Sequence, residues 1–447
     1  LHSQATLPKS EFSPLGNQPV RIPRAEHTLS RHQISQAALS VLYQLRGAGH
    51  QAYLVGGGIR DVLLGRTPKD FDVVTDALPD EVRRLFRSCR LIGRRFVLAH
   101  VRFNKEIVEV ATFRAHHDKG GDGVMEEGRI VRDNVYGTMD EDVWRRDFTV
   151  NALYYDISDY SLIDYVNGMA DLRTGIIRLI GEPEQRYQED PVRMLRAIRF
   201  AAKLGFTLAP ETREPIQELS GLLVEVSAAR LFEEVQKLFL SGHAVPSFEQ
   251  LRLYNLFRPL FPYTDECFTN PTALALVEQV LRNTDERLAE QKSVAPAFLF
   301  ASLLWPPLLK IMHNQVISEL SSPDLLLEAS QYLLVRQQQF VAIPRRISVF
   351  IVEIWLLQWR LTRRARGRKM LNVLEHPRFR AGYDFLLLRA SAGEEAVLPF
   401  AKWWTDYIDG DDNARQTLLT QSSQLTHTKK RSRRKKKTKK VEHSEPT

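Results

Sequence analysis

The stretch Leu54–Ala77 constrains this chain more than any other. It reads Leu-Val-Gly-Gly-Gly-Ile-Arg-Asp-Val-Leu-Leu-Gly-Arg-Thr-Pro-Lys-Asp-Phe-Asp-Val-Val-Thr-Asp-Ala. A short apolar strand runs into three glycines, then into a turn or two of helix that Gly65 can stop. A second strand follows, headed by Asp70 and Asp72. Residues i and i+2 of a strand share a face, so the two carboxylates converge. Like charges that close are unfavourable unless a cation lies between them. Oxygen-only donors suit Mg²⁺, which keeps some water and takes further ligands from substrate phosphates. The glycine turn supplies backbone N–H groups that can hold those phosphates at a helix N-terminus. An isolated Asp-x-Asp is more often a polar strand start, and three glycines alone are a weak signal. Coupled through Arg60-Asp61, the two signals point to a metal-and-triphosphate site.

With 447 residues, 43% hydrophobic and 26% charged, the chain reads as a soluble protein of two or three domains. No apolar run reaches the roughly 20 residues that span a bilayer. The densest, Val349–Trp359, is broken by Glu353 and Gln358 and reads as a core helix. The N-terminus has no basic-then-apolar leader. With Leu1 in first place, a trimmed start or an unusual start codon is expected. Cys89 and Cys267 form neither a disulfide framework nor a metal-ligand spacing, so a reducing cytoplasm is the expected compartment. The net charge of +8 is concentrated: ten Lys or Arg and no acid lie between Lys429 and Lys440.

Residues 1–30 are rich in Pro, Ser and Gln and are expected to be disordered. Ala38, Leu39, Leu42 and Leu45 recur at helical spacing in a helix over Ser35–Gly47. Pro79–Phe86 reads as a second helix. Leu91–Ile92, Val97–Phe103 and Glu106–Phe113 read as strands, the last two joined at Asn104-Lys105. His116–Arg132 is glycine-rich and charged, and is expected to be a mobile loop. Tyr154–Ser158 and Ser161–Val166 read as a hairpin, and Ile176–Ile180 as a strand closing the α/β region. After Gly181 the apolar spacing is helical almost throughout. The expected architecture is an α/β head at 31–181, a helical neck at 182–245, a helical body at 246–415 and a disordered basic tail at 416–447.

Further residues carry chemistry. Glu109 shares a strand face with Ile107, Ala111 and Phe113, and a carboxylate on an apolar face needs a partner or a metal. It either pairs with Arg114 or Arg102, or serves as a third carboxylate. Arg145-Arg146-Asp147 is expected where a loop enters a helix, with Asn151 four residues on and on the same helical face. This is either an N-cap among surface arginines or a clamp on triphosphate and sugar. Asp190 and Arg193 stand at i and i+3, either as a surface ion pair or as a donor and acceptor for a base edge. Arg196 and Arg199 extend that basic side, while Arg230, Glu233 and Glu234 read as a structural ion-pair cluster.

Leu54–Ala77, Arg145–Leu153, Asn167-Gly168-Met169-Ala170-Asp171-Leu172 and Glu189–Arg196 resemble the ordered motifs of the class II nucleotidyltransferases. That family comprises bacterial poly(A) polymerases and tRNA CCA-adding enzymes. The resemblance covers about residues 50–240 and implies a polymerase-β-like palm, two-metal nucleotidyl transfer to an RNA 3′-hydroxyl, and helical parts that hold RNA. It implies Mg²⁺ on Asp70, Asp72 and Glu109, and triphosphate on Gly56, Gly57 and Arg60. It implies the nucleotide on Arg146, Asp147 and Asn151, and its base on Asp190 and Arg193. Within the family, Leu91–Val101, Leu374–Arg380 and Trp403-Trp404 resemble the poly(A) polymerases. The Asp190/Arg193 pair by which CCA-adding enzymes choose CTP and ATP is intact, and leaves CTP use open.

The function expected is template-independent addition of AMP from ATP to RNA 3′ ends, as in polyadenylation and mRNA turnover, by a monomer. The alternatives are a CCA-adding enzyme and, of another class, a non-catalytic RNA-binding protein with a decayed head. Intact carboxylates and glycines argue against decay. Lys435 and Lys436 represent the tail, expected to attract RNA by salt-sensitive charge or to dock RNA-decay proteins.

Overall fold

The computed structural model describes residues 18–93, 97–115, 125–126, 129–130, 135–314, 322–363 and 368–420. They pack in two compact units, the first made of the described residues up to Val226 with Leu253–Leu256, the second of Ser227–Arg252 and the described residues from Phe257 on. The expected tail, with Lys435 and Lys436, lies outside the described residues beyond 420. So do residues 1–17, Arg94-Arg95-Phe96 and most of His116–Arg132.

The first unit runs β1 (Val20–Ile22), α1 (Gln36–Gly47), β2 (Ala52–Val55), α2 (Gly57–Leu63), β3 (Asp72–Thr75), α3 (Pro79–Leu85), β4 (Cys89–Ile92), β5 (Leu98–Phe103) and β6 (Glu106–Thr112). It continues with the two-residue strands β7 (Met125–Glu126) and β8 (Arg129–Ile130), then α4 (Met139–Arg145), β9 (Leu153–Asp156), β10 (Leu162–Asp164), α5 (Gly168–Thr174) and β11 (Ile176–Ile177). It ends with α6 (Pro183–Glu189), α7 (Val192–Leu204), β12 (Thr207–Leu208) and α8 (Pro210–Leu219).

Eight strands form a mixed sheet in the order β1-β10-β9-β2-β3-β6-β5-β4. The Ser35 side chain caps α1 by accepting from the Ala38 N–H, and Ala38, Leu39, Leu42 and Leu45 are buried as their spacing predicts. Asn104, at φ 51°, makes the tight turn that sets β5 antiparallel to β6. β3 and β6 run parallel, and α3, β4 and β5 separate them in the chain. That crossover decides which residue stands beside Asp72. One face of the sheet is sealed by Tyr53, Val74, Phe113, Val143, Tyr154 and Ile163.

Three expectations need correction. Residues 18–30 are ordered: β1 pairs with β10 along Val20↔Asp164 and Ile22↔Leu162, and Leu29 is fully buried. The open edge of β10 offers backbone groups that this polar segment satisfies, a gain its composition hides. Within His116–Arg132 the described residues pair as two antiparallel strands, with Met125 opposite Ile130 and Glu126 opposite Arg129. The strand expected at 176–180 is only β11, and it pairs with β12 in a separate two-stranded parallel sheet instead of closing the main one. Thr207-Leu208, in the break between helices that Gly205 and Pro210 mark, is thus a strand.

The second unit is helical: α9 (Ala228–Phe239), α10 (Ala244–Leu253), α11 (Pro262–Asp265), α12 (Pro271–Ala289), α13 (Pro296–Leu303), α14 (Trp305–Asn314), α15 (Pro323–Gln337), α16 (Arg345–Leu361), α17 (Arg368–Leu374), α18 (Phe379–Ser391) and α19 (Leu398–Asp409). α16 contains the apolar run at 349–359 and buries Ile351, Ile354, Trp355 and Leu357, as a core helix should. Among the described residues, no helix is long and apolar enough to cross a membrane.

Candidate active site

The three glycines do different work. Gly56, at φ 82° and ψ −146°, lies in backbone space that essentially only glycine occupies. A Cβ there would sit 3.5 Å from Asp72 Oδ2, so the turn lies beside the carboxylate. At Gly58 a Cβ would come within 2.9 Å of both the Asp70 carbonyl oxygen and the Phe71 ring. α2 therefore packs onto the entry to β3 only because residue 58 has no side chain. Gly57 meets no backbone: its nearest neighbour would be the Arg60 guanidinium at 3.4 Å.

Asp70 is exposed just before β3, and Asp72 opens the strand as the register partner of Glu109 on β6. Burial, then the charges of Glu109 and Asp70, push the Asp72 carboxyl up to about 6, and Arg146 opposes the rise. The three expected carboxylates thus feel one another. Among the described residues, no three His, Cys, Asp or Glu side chains stand close enough to hold a metal as they are placed. Their chemistry nonetheless fits a hard divalent cation, since all are oxygen donors whose mutual repulsion a cation would relieve.

Glu109 departs from expectation in its surroundings. Along its face of β6, Ile107 is 46% exposed while Phe113, just past the strand, is 1% exposed, so Glu109 lies where that face passes from solvent into the core. Its neighbour is His100 on β5, with Nε2 3.3 Å from Glu109 Oε1, and neither Arg114 nor Arg102. Arg114 turns to Asp142, and Arg102 Nε donates to the Asn104 carbonyl oxygen.

The Arg145–Leu153 motif is not a helix start. α4 ends at Arg145, Arg146 is extended at φ −67° and ψ 162°, and only Thr149–Asn151 makes a single 3₁₀ turn before β9. Asn151 still reaches Asp147, because that turn folds back: Asn151 Nδ2 donates to Asp147 Oδ1 at 3.2 Å. α5 braces the turn. The Gly168 Cα packs against the Thr149 carbonyl, and Asp171 accepts the Thr149 hydroxyl at 2.7 Å. The Asn167–Leu172 motif is thus scaffolding for Asn151.

A continuous network follows. Arg60 Nη1 donates to Asn151 Oδ1 at 2.5 Å, while its Nε and Nη2 fork onto Asp61 Oδ1 at 2.9 and 2.7 Å. Asp61 Oδ2 lies 3.5 Å from Lys203 Nζ. Asp147 Oδ2 accepts Arg196 Nε at 2.8 Å, and its Oδ1 accepts the Phe148 N–H at 2.8 Å. Burial works against ionisation of Asp147, but Arg196, Asn151 and that N–H outweigh it and hold the carboxyl far below its usual range. The guanidiniums of Arg60, Arg196 and Arg199 surround the Phe200 ring, at 5.1, 5.5 and 4.5 Å from its centre. Arg60 is 2% exposed, so in this state it ties α2 to the 3₁₀ turn.

Arg193 donates to the Arg186 carbonyl oxygen at 2.6 Å and to Glu189 Oε2 at 3.1 Å, rather than to the carboxylate of Asp190. Glu189 also accepts Arg186 Nη1 at 2.8 Å, and Arg186 Nη2 reaches the carbonyl oxygens of Arg145 and Arg146. Sequence reasoning missed Arg186, His100 and Asp142. Asp142 alone carried a local signal, four residues before Arg146 in a helix.

Residues 52–178 match the Poly A polymerase head domain, residues 205–268 the probable RNA and SrmB-binding site of polymerase A, and residues 318–438 the polymerase A arginine-rich C-terminus. The chain is 50% identical over 397 residues to poly(A) polymerase I of Salmonella typhimurium, across 86% of this chain and 85% of that protein. It is 42% identical over 220 residues to the CCA-adding enzyme of Bacillus subtilis, across 48% of this chain and 54% of that one. A solved tRNA nucleotidyltransferase, complexed with a primer tRNA and an incoming ATP analog, shares the fold at a TM-score of 0.54 and 23% identity, over 82% of this chain and 98% of that one. Nucleotidyltransferases of this kind generally use a divalent metal. The identity to poly(A) polymerase I runs through both units, whereas that to the CCA-adding enzyme spans under half the chain, and the chain therefore belongs to the bacterial poly(A) polymerase family, as a polynucleotide adenylyltransferase on the class II nucleotidyltransferase fold.

Proposed function

We propose that this chain adds AMP from ATP to RNA 3′ ends without a template and releases pyrophosphate. The observation that carries the reading is Asp72 abreast of Glu109, with Asp70 two residues away and the Gly56–Gly58 turn beside them. Asp70, Asp72 and Glu109 would hold Mg²⁺. Bound there, it would acidify the attacking 3′-hydroxyl and offset charge on the leaving pyrophosphate. The backbone of Gly56 and Gly57 would receive the triphosphate, together with Arg60 and Arg146. Asp147 and Asn151 would orient the nucleotide, and Asp190 and Arg193 its base.

Repeated addition requires the RNA to slide, so its grip should be on phosphates and sugars. The helical neck at 182–245 and body at 246–415 would supply it, with Arg196 and Arg199 nearest the head. The Lys429–Lys440 segment would raise the local RNA concentration and could dock RNA-decay proteins. The tRNA and ATP analog held by the solved relative support RNA and ATP as ligands. We infer a monomer working in the cytoplasm on RNAs destined for turnover.

The test is extension of a labelled RNA primer by the purified protein with ATP, CTP or both. Long tracts from ATP alone are expected. Addition that stops after CCA with both nucleotides would replace this reading by the CCA-adding one, and extension with neither would favour a non-catalytic RNA-binding protein.

A further inference from the structure

Asp142 lies on α4, one helical turn before Arg146, and is 1% exposed. Its Oδ2 accepts Arg146 Nε at 3.0 Å, Arg146 Nη2 at 2.8 Å and the Tyr154 hydroxyl at 2.9 Å. Its Oδ1 faces the backbone N–H and the Nε of Arg114, at 3.4 and 3.5 Å. Arg146 Nε also donates to the Tyr154 oxygen at 2.7 Å, and the guanidinium carbon lies 5.1 Å from the centre of the Tyr154 ring. Both carboxylate oxygens are thus engaged with protein donors, and Asp142 has no lone-pair direction left for substrate.

The pattern is informative for what it leaves over. A guanidinium is planar, with five N–H donors in a fixed fork. Here the Nε–Nη2 edge is consumed by Asp142 and Tyr154, while the described bonds leave Nη1 unused. Fixing one edge fixes the plane, so the direction of Nη1 is set before a ligand arrives. The ordering entropy of a long side chain is then not charged to nucleotide binding. Arg146 also acts electrostatically on Asp72. Unanchored, a guanidinium in that position would be attracted towards the Asp72 carboxylate. Asp142 holds it back.

We propose that Asp142, with Tyr154, is a positioning residue that orients the Nη1 edge of Arg146 towards the triphosphate of the incoming nucleotide. This rests on the reading of Arg146 as a nucleotide contact, and it adds two residues that touch no substrate themselves.

The test is a double-mutant cycle in the full chain, with KM for ATP and kcat measured at saturating RNA primer. Asp142→Asn is expected to raise KM for ATP by about tenfold or more, the loss typical of a hydrogen bond to a charged group. The KM for primer should stay unchanged. In an Arg146→Ala background, Asp142→Asn should raise KM no further, because its effect passes through Arg146. An unchanged KM in Asp142→Asn, where Arg146→Ala does raise it, overturns the proposal and leaves the nucleotide reading of Arg146 standing. The same factor lost with and without Arg146 also overturns it, since Asp142 would then act on the fold alone. An ordinary KM in Arg146→Ala overturns both. Should Asp142→Asn fail to fold, Tyr154→Phe carries the same cycle. It removes one hydroxyl from the pair and is expected to raise KM about threefold, only where Arg146 is present.

Discussion

Asp72 and Glu109 are register partners on β3 and β6, two neighbouring parallel strands far apart in the chain. Parallel pairing puts their side chains at one level on one face of the sheet. Asp70 joins from the entry to β3, so the like charges gather where the Gly56 turn passes.

Asp72→Asn should therefore remove more than one donor, because it breaks the only register pair among the three carboxylates. AMP incorporation is expected to fall by about a thousandfold or more, corresponding to several kcal/mol of lost charge stabilisation. RNA binding in a filter assay should be largely retained. Substantial remaining incorporation by Asp72→Asn, or by Asp70→Ala, would remove the metal assignment.

The glycines separate packing from chemistry. Gly58→Ala must displace the Asp70 carbonyl or the Phe71 ring, which stand 2.9 Å from the added carbon. Overpacking of that kind costs about 1–3 kcal/mol, so the urea midpoint should drop together with activity. Gly57→Ala meets only the Arg60 guanidinium, at an ordinary contact distance of 3.4 Å, and sits in a helix, where Ala is favoured by up to about 1 kcal/mol. Its stability should hold or rise. If activity nevertheless falls, the backbone at 57 is where substrate comes close; full activity would exclude that contact.

The glycine turn and Asp70-x-Asp72 were legible because their meaning is local. Three adjacent residues without side chains and two acids at strand spacing constrain the backbone whatever surrounds them. Glu109 was legible as an anomaly, but its neighbour was not: His100 meets it through pairing with β5, and Asp72 through a crossover that no local pattern encodes. The Asp147-to-Asn151 spacing reads as one helical face, whereas one 3₁₀ turn brings the two side chains together over nearly the same distance. Arg186 bridges elements, so its role emerges only once α4 and α6 are packed, and Asp142, whose spacing to Arg146 is local, gains its Tyr154 partner only when β9 is in place. The strand at 20–22 was hidden because its gain lies in backbone pairing, to which composition is blind.

That strand leads into His27, 7% exposed, whose Nε2 contacts the Tyr160 carbonyl oxygen at 3.0 Å. Burial, assisted by Arg24 and opposed by the Tyr160 hydrogen bond, lowers its pKa from the ordinary 6.5. Tyr155, against which the ring packs edge-on, is pushed up to about 12 and stays neutral through this range. The unfolded chain thus takes up a proton below pH 6.5 before the folded one does, so His27 makes stability fall as pH drops from 6.5 towards the folded pKa. From about a pH unit above 6.5 upward it has no pH effect. His27→Gln should flatten that part of the urea-midpoint profile; parallel profiles for the two proteins would mean that the segment is not docked in solution.

Removal of residues 429–440 tests the basic tail, whose ten cations in twelve positions would recruit RNA through counterion release. For single strands, each phosphate contact contributes about −0.7 to the slope of log K against log salt. A tail making three such contacts would leave the truncated protein with a slope shallower by about 2. Affinity should fall most at low salt and converge with that of the full chain as salt rises. The kcat for AMP addition at saturating primer should be unchanged, because no residue proposed for the metal or the nucleotide is removed. Weaker binding with the same salt slope would mean that the tail does not touch phosphate. An unaltered affinity would assign the tail to a protein partner instead, to be read by whether RNA-decay proteins bind the full chain and not the truncated one.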